Sequence, residues 1–312
     1  MAPPFEGRVR KHARKLATRT ENAAPALVRE LVAIRNDFAQ SIARALGVEK
    51  AGDVHGLSTA HYLAAKHAIE AMTASAYADA IYDDATALLE VGYDAARDYL
   101  AVDTATFDVP PVWATQALQA HADDVGGLAS AYDRVKMTSI LDAALLSGDS
   151  ARDTATAMRN AFDAGFEVTN EDGDVSRVMR SDAWFDMVAR TELQRATNLG
   201  QYSLYEAAGV QKVTLQCAEP CDECAEADGV TVELGDAFPG VDQSCPPFHL
   251  RCRCVLIPSD ADLGDFNGTD EEIATARRGG YASDEEAQAQ RDKLSALADK
   301  QAARAAKRAA KE

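Results

Sequence analysis

All six cysteines of this 312-residue chain fall within residues 217–254, in the stretch CAEPCDECAEADGVTVELGDAFPGVDQSCPPFHLRCRC. Cysteine used as ordinary core filler scatters, and a disulfide-stapled fold spreads its bridges along the chain. Confinement to one window therefore marks a site. Cys221-x2-Cys224 forms a knuckle that supplies two ligands from one tight turn, and His249, Cys252 and Cys254 return after a long spacer. That two-halved spacing is the pattern of a structural zinc site. Thiolate and imidazole donors favour zinc over calcium or magnesium. The expected set is one zinc per chain, held by Cys221, Cys224, His249 and one of Cys252 or Cys254. Cys252 and Cys254 sit two apart, so on a strand they face the same way and either could reach the metal, with Cys252 favoured. Cys217 and Cys245 are read as spares or neighbours of the site.

Two other uses of the cluster compete. Six cysteines allow 15 disulfide pairings, which an oxidising environment would favour. A catalytic zinc needs three protein ligands and an open position, whereas this cluster offers a full set. Deaminase chemistry also needs a His-x-Glu, and the chain has none.

The formal net charge of -18 hides a polarity. Residues 1–20 carry six Lys/Arg against a single Glu, with Arg8, Arg10, Lys11, Arg14, Lys15 and Arg19 forming a basic arm. Residues 291–312 are basic as well, and Lys300, Arg304, Lys307, Arg308 and Lys311 gather on one side of a helix. The body between these ends is more acidic than the whole, which argues against wrapping of nucleic acid by the entire protein. The ends could touch packaged DNA or an acidic partner, or simply be solvated helix faces. The N-terminus lacks an apolar signal core, and no apolar run approaches the roughly 18 residues that span a bilayer. A soluble chain made in a reducing cytoplasm, with no membrane partner, is expected.

Helical periodicity dominates residues 21–208. Leu27, Leu31, Ile34, Phe38, Ile42 and Leu46 recur every three or four residues, with Pro25 suited to a first turn and Gly47 to a C-terminal stop. Further helices are expected at about 57–101, 111–147, 150–164 and 175–208. The pattern changes at Gly209. Short strands are expected at 213–215, 230–232 and 255–257, around a Pro/Gly-rich loop. The fold class is thus mainly α: a helical N-terminal body, a small zinc-bound α+β module over 209–260, and a polar linker with a charged helical tail over 261–312. In that last part helices are expected near 269–279 and from 284 onward.

Other constellations carry less. His61 and His67 are six apart and do not stack on one helix face. Arg190-Thr191-Glu192 lies in an apolar-periodic helix and reads as a charged pair that orients it against the next element. No phosphate-cradling or nucleophile-elbow motif is present. A zinc module that binds DNA is disfavoured, because residues 219–242 carry eight acids and no Lys or Arg.

The C-terminal half resembles the phage Mu F-like minor head proteins. The resemblance runs over about 180–258: the helix Ala189-Arg190-Thr191-Glu192 continuing through Asn198, then Gly209, a short strand, Cys221-x2-Cys224, Gly229 and Pro246-Pro247-Phe248-His249-Leu250-Arg251-Cys252-Arg253-Cys254. Leu250-Arg251 stands where the family usually has Pro-Asn, and Glu219 where it often has Asp. These departures touch loop shape more than ligands. The resemblance implies a minor capsid protein that acts in head morphogenesis. It would lie inside the phage head, pass through the host cytoplasm during assembly, contact the portal protein and other head proteins, and assist assembly, DNA packaging or delivery. No catalytic residue is expected. The competing expectation is an enzyme or toxin-like effector, a nuclease or transferase, carried in the head; the segment after Pro258 is short and polar for such a domain.

Overall fold

The computed structural model describes residues 4–48, 56–100, 110–169, 175–218 and 221–259, with a few positions between 283 and 296. Its helices are α1 (Pro4–Ala45), α2 (Thr59–Glu70), α3 (Ala74–Leu100), α4 (Val112–Ser147), α5 (Ala151–Ala164) and α6 (Ser181–Ala207). Its strands are β1 (Phe166–Thr169), β2 (Val175–Met179), β3 (Lys212–Cys217), β4 (Thr231–Glu233) and β5 (Cys254–Pro258). No helix among the described residues is long and apolar enough to cross a membrane.

Helix α1 begins well before Pro25, which lies inside it rather than in its first turn. Proline removes one intrahelical bond at a cost of about 3 kcal/mol, and only burial on both sides of it offsets that loss. Ala24, Leu27 and Leu31 are all buried. The basic arm expected over 1–20 is correspondingly helical from Pro4 onward. Ala13, Leu16, Ala17 and Thr20 form its buried stripe, while Lys11, Arg14, Lys15 and Arg19 form the exposed one.

The single helix expected over 57–101 is two. Ser58 caps α2, its hydroxyl accepting from the His61 N–H at 3.2 Å, and the chain turns at Ala71 because Met72 is drawn into the core. Thr73 and Ser75 then bond to each other at 2.9 Å, the local competition with helix that such residues offer. Residues 175–179, expected as the start of a helix, instead form β2 of an antiparallel hairpin with Phe166 opposite Met179. The helical stretch is therefore interrupted by strand. Gly165 enters the hairpin at φ 101° with the Met179 carbonyl 2.1 Å from where a Cβ would sit, so only glycine fits there.

The chain packs as two compact units, and α1, α3, α4 and α6 each contribute residues to both. One comprises Pro25–Ile81 and His121–Ala189. Its core gathers Ile42, Leu46, Ile69, Met72, Met137, Leu141, Met158 and Phe162. Arg35 occupies the apolar stripe of α1 and is almost fully buried, bonded through Nη2 to Asp133 Oδ1 at 2.6 Å. Tyr77 donates to the same carboxylate at 2.9 Å, and the guanidinium stacks on Phe162 and Phe166. Ser181 donates to the Phe162 carbonyl, which Arg35 also bonds.

The other unit comprises Met1–Ala24, Tyr82–Ala120 and Arg190–Glu312. The strands expected at 213–215, 230–232 and 255–257 are β3, β4 and β5, a three-stranded antiparallel sheet in the order β4-β3-β5. Every residue of β5 is buried. Gly92 and Gly200 let α3 and α6 touch backbone to backbone, since a Cβ on Gly200 would lie 2.0 Å from the Leu89 carbonyl oxygen. The helix expected at 269–279 and the stripe of Lys300, Arg304, Lys307, Arg308 and Lys311 lie outside the described residues, as do the side chains of Arg8 and Arg10.

Candidate metal centre

Three segments bring the thiols together. Strand β3 ends on Cys217, which is the direct register partner of Cys254 at the start of β5. After β3 the chain folds into a succession of tight turns: the Cys224 N–H donates to the Cys221 carbonyl at 3.1 Å, and the Asp228 N–H to the Cys224 carbonyl at 3.0 Å. The Asp228 carboxylate fixes this hairpin by accepting from the Cys217 N–H at 2.8 Å. The third segment is the loop before β5. Arg251 turns it at φ 63°, a left-handed conformation in which a non-glycine residue is uncommon.

At the centre, His249 Nε2 lies 3.1 Å from Cys221 Sγ and 3.0 Å from Cys224 Sγ. Nδ1 of the same ring lies 2.9 Å from the Leu250 carbonyl and 3.5 Å from the Glu223 carboxylate. A proton on Nδ1 satisfies both oxygens and leaves Nε2 bare, the tautomer a metal ligand requires. Cys252 Sγ is 4.0 Å from Cys224 Sγ. Zinc binds sulfur at about 2.3 Å and nitrogen at about 2.0 Å, so tetrahedral donors stand roughly 3.6–3.8 Å apart. The three Cys221, Cys224 and His249 donors lie within reach of one ion, and Cys252 stands beside them at 4.0 Å from Cys224.

Of the expected ligands, Cys221, Cys224 and His249 form one group whose ligand atoms all lie within 4.8 Å of one another. Cys254 falls in a second such group, with Cys217 and Cys224. Either group could hold a metal ion. Cys217, read from the sequence as a spare, is thus part of the cluster. Cys252 and Cys245 belong to neither group; Cys252 Sγ approaches Cys224 Sγ at 4.0 Å, and the Cys245 thiol donates to the Pro246 carbonyl at 3.6 Å.

Without a cation the cluster is electrostatically divided. Burial pushes the Cys224 thiol well above the usual range, and hydrogen bonding to Cys217 does the same to Cys254. The hydrogen bond from Cys254 holds Cys252 down at about 5. Burial pushes Cys245 up to about 12. A bound cation would favour the thiolate at every sulfur it touches.

The sequence reading missed what holds the ligand loop. One face of α6 carries Thr191, Gln194 and Asn198, all buried and polar. Asn198 Nδ2 donates to the carbonyls of Cys254 and Pro246 at 2.9 and 3.1 Å. Gln194 Nε2 donates to the same Cys254 carbonyl at 3.2 Å. The Thr191 hydroxyl accepts from the Arg251 N–H at 3.0 Å, which anchors the left-handed turn. In Arg190-Thr191-Glu192 the threonine reaches the next element, and Glu192 faces Arg195 at 3.5 Å. The available signal was polar side chains recurring at helical spacing on a helix otherwise rich in apolar residues.

Residues 136–257 match the protein-family model described as Phage Mu protein F like protein. The match starts upstream of the segment whose motifs resemble that family, within α4, and takes in α5, the β1–β2 hairpin and α6 as well as the thiol cluster. No curated protein and no solved structure matches the chain. The α6 clamp, the knuckle and the His249 loop all lie in the matched segment, and over residues 136–257 this chain is similar to the phage Mu protein F-like family.

Proposed function

We propose that the chain is a minor head protein of a tailed phage, acting in head morphogenesis through attachment to other head proteins, with no turnover chemistry of its own. The observation that carries this reading is the family match over 136–257. Within the head the portal protein is the proposed contact, and assembly, packaging or delivery of DNA the proposed process. Zinc is the proposed metal, bound by Cys221, Cys224, His249 and Cys252. Four protein donors leave no open position for water or substrate, so this zinc serves to hold the ligand loop on the knuckle.

A contact with packaged DNA is proposed at the exposed stripe of Lys11, Arg14, Lys15 and Arg19, because the opposite face of the same helix is already buried. Binding there should be sequence-independent and weaken steeply with salt, as counterion release requires. Charge reversal of the four residues should reduce it.

The attachment reading is tested by co-expression with the portal protein of the same phage, followed by affinity capture of one and quantification of the other. Stable co-capture and presence of the chain in mature particles by mass spectrometry are expected. Absence from particles together with no portal complex would overturn the reading.

A further inference from the structure

The two thiol groups share a member. Cys224 belongs both to the set Cys221, Cys224 and His249 and to the set Cys217, Cys224 and Cys254, each with its ligand atoms within 4.8 Å of one another. Cys252 Sγ lies 4.0 Å from Cys224 Sγ, and Cys254 is the register partner of Cys217 across β3 and β5. Five sulfurs and one imidazole nitrogen therefore form a continuous set, whereas a single tetrahedral ion uses four donors.

We propose that this cluster binds two zinc ions, with Cys221 and His249 terminal on the first, Cys217 and Cys254 terminal on the second, and the Cys224 and Cys252 thiolates bridging both. The proposal rests on the zinc reading given above and extends it to a second ion.

Three features support the arrangement. Six donors with two shared give two four-coordinate ions, the number a closed tetrahedral zinc site needs. Cys217 and Cys254 are directly opposed on antiparallel strands, so their side chains project from the same face of the sheet. Both are almost fully buried in the core cluster that includes Cys224 and Cys252. The charge balance is also neutral to the addition. One divalent ion with three thiolates and an imidazole carries one net negative charge, and two divalent ions with five thiolates and an imidazole carry the same, so the second ion adds no buried net charge.

The test is the zinc content of the full chain purified under reducing conditions and freed of loosely held metal, together with its zinc-edge X-ray absorption. Two zinc per chain and a zinc–zinc scattering shell are expected. One zinc per chain overturns the second site and leaves the first intact, and zero overturns both. Two zinc without a zinc–zinc shell overturns the bridging. In a Cys217→Val/Cys254→Val variant, chosen to keep the core packed, the content should fall from two to one with the helical signal retained, and a content that stays at two would refute the assignment. If that variant fails to fold, the wild-type content and scattering decide the matter.

Discussion

Asn198 on α6 donates through Nδ2 to the Cys254 carbonyl at 2.9 Å, and the same nitrogen donates to the Pro246 carbonyl at 3.1 Å. One buried amide thus ties both ends of the loop that carries His249 and Cys252. Replacing Asn198 with Ala leaves two buried carbonyls short of a donor, though Gln194 still reaches the Cys254 oxygen. A loss of about 1–3 kcal/mol in unfolding free energy is expected. Metal affinity should fall by about 10–100-fold, as when an outer partner of a metal ligand is lost. Urea denaturation and chelator competition read the two effects separately. Unchanged affinity would show that α6 does not position the ligands.

Metal removal should act locally. The core formed by Ile42, Leu46, Ile69, Met72, Met137, Leu141, Met158 and Phe162 contains no cysteine, whereas Cys217, Cys224, Cys252 and Cys254 sit within the core of the other unit. A strong chelator is therefore expected to leave most of the far-UV helix signal in place while exposing amides of β3 and β5 to hydrogen exchange. Collapse of the whole helical signal would mean that both cores depend on the metal.

Acid should destabilise the start of α1. Burial holds His12 down at about 4 from an ordinary 6.5, helped by Lys15 and Arg19 and opposed by Asp98. The ring packs tilted against Tyr99, centroids 5.0 Å apart, and faces the Gln201 amide at 3.3 Å. Its folded pKa lies below its unfolded one, so its full contribution is present above about pH 6.5. Between there and about pH 4 the unfolded chain takes up the proton and the folded one does not, which costs about 1.4 kcal/mol per pH unit. Urea midpoints at pH 7 and pH 5 should differ more for the wild type than for His12→Phe. Equal slopes would remove His12 as the cause.

Arg35 and Asp133 are a buried ion pair with 3% and 0% side-chain exposure. Asp133→Ala strands the guanidinium and should cost about 3–5 kcal/mol. The double replacement Arg35→Met/Asp133→Leu should cost much less, because neither charge is then left unpaired. A double-mutant cycle in urea measures the difference, and additive losses would contradict the pairing.

The Cys/His cluster, the three short strands of the module and most helices were legible because each depends on local rules: cysteine spacing on a tight turn, alternation, and 3.6-residue periodicity. The errors have equally physical sources. Pro25 reads as a helix start because proline favours first turns, yet buried neighbours on both sides carry α1 through it. Residues 71–73 contain no glycine or proline, and the chain turns there because Met72 is buried. The β1–β2 pair was missed because its strands are only four and five residues long and pair with each other, too short for alternation to outweigh the helical patterns on either side.

The sequence by itself pointed to Cys221, Cys224 and His249 as neighbours, since knuckle spacing is a property of a few consecutive residues. It also carried the family, through motifs that survive as strings. Only the tertiary structure decided that Cys224 is shared by two groups of potential ligands, that Cys217 joins Cys254, and that Thr191, Gln194 and Asn198 hold the loop before β5. Those relationships join α6, β3 and β5 across dozens of residues, and a contact between distant segments leaves no periodicity or spacing in the chain that makes it.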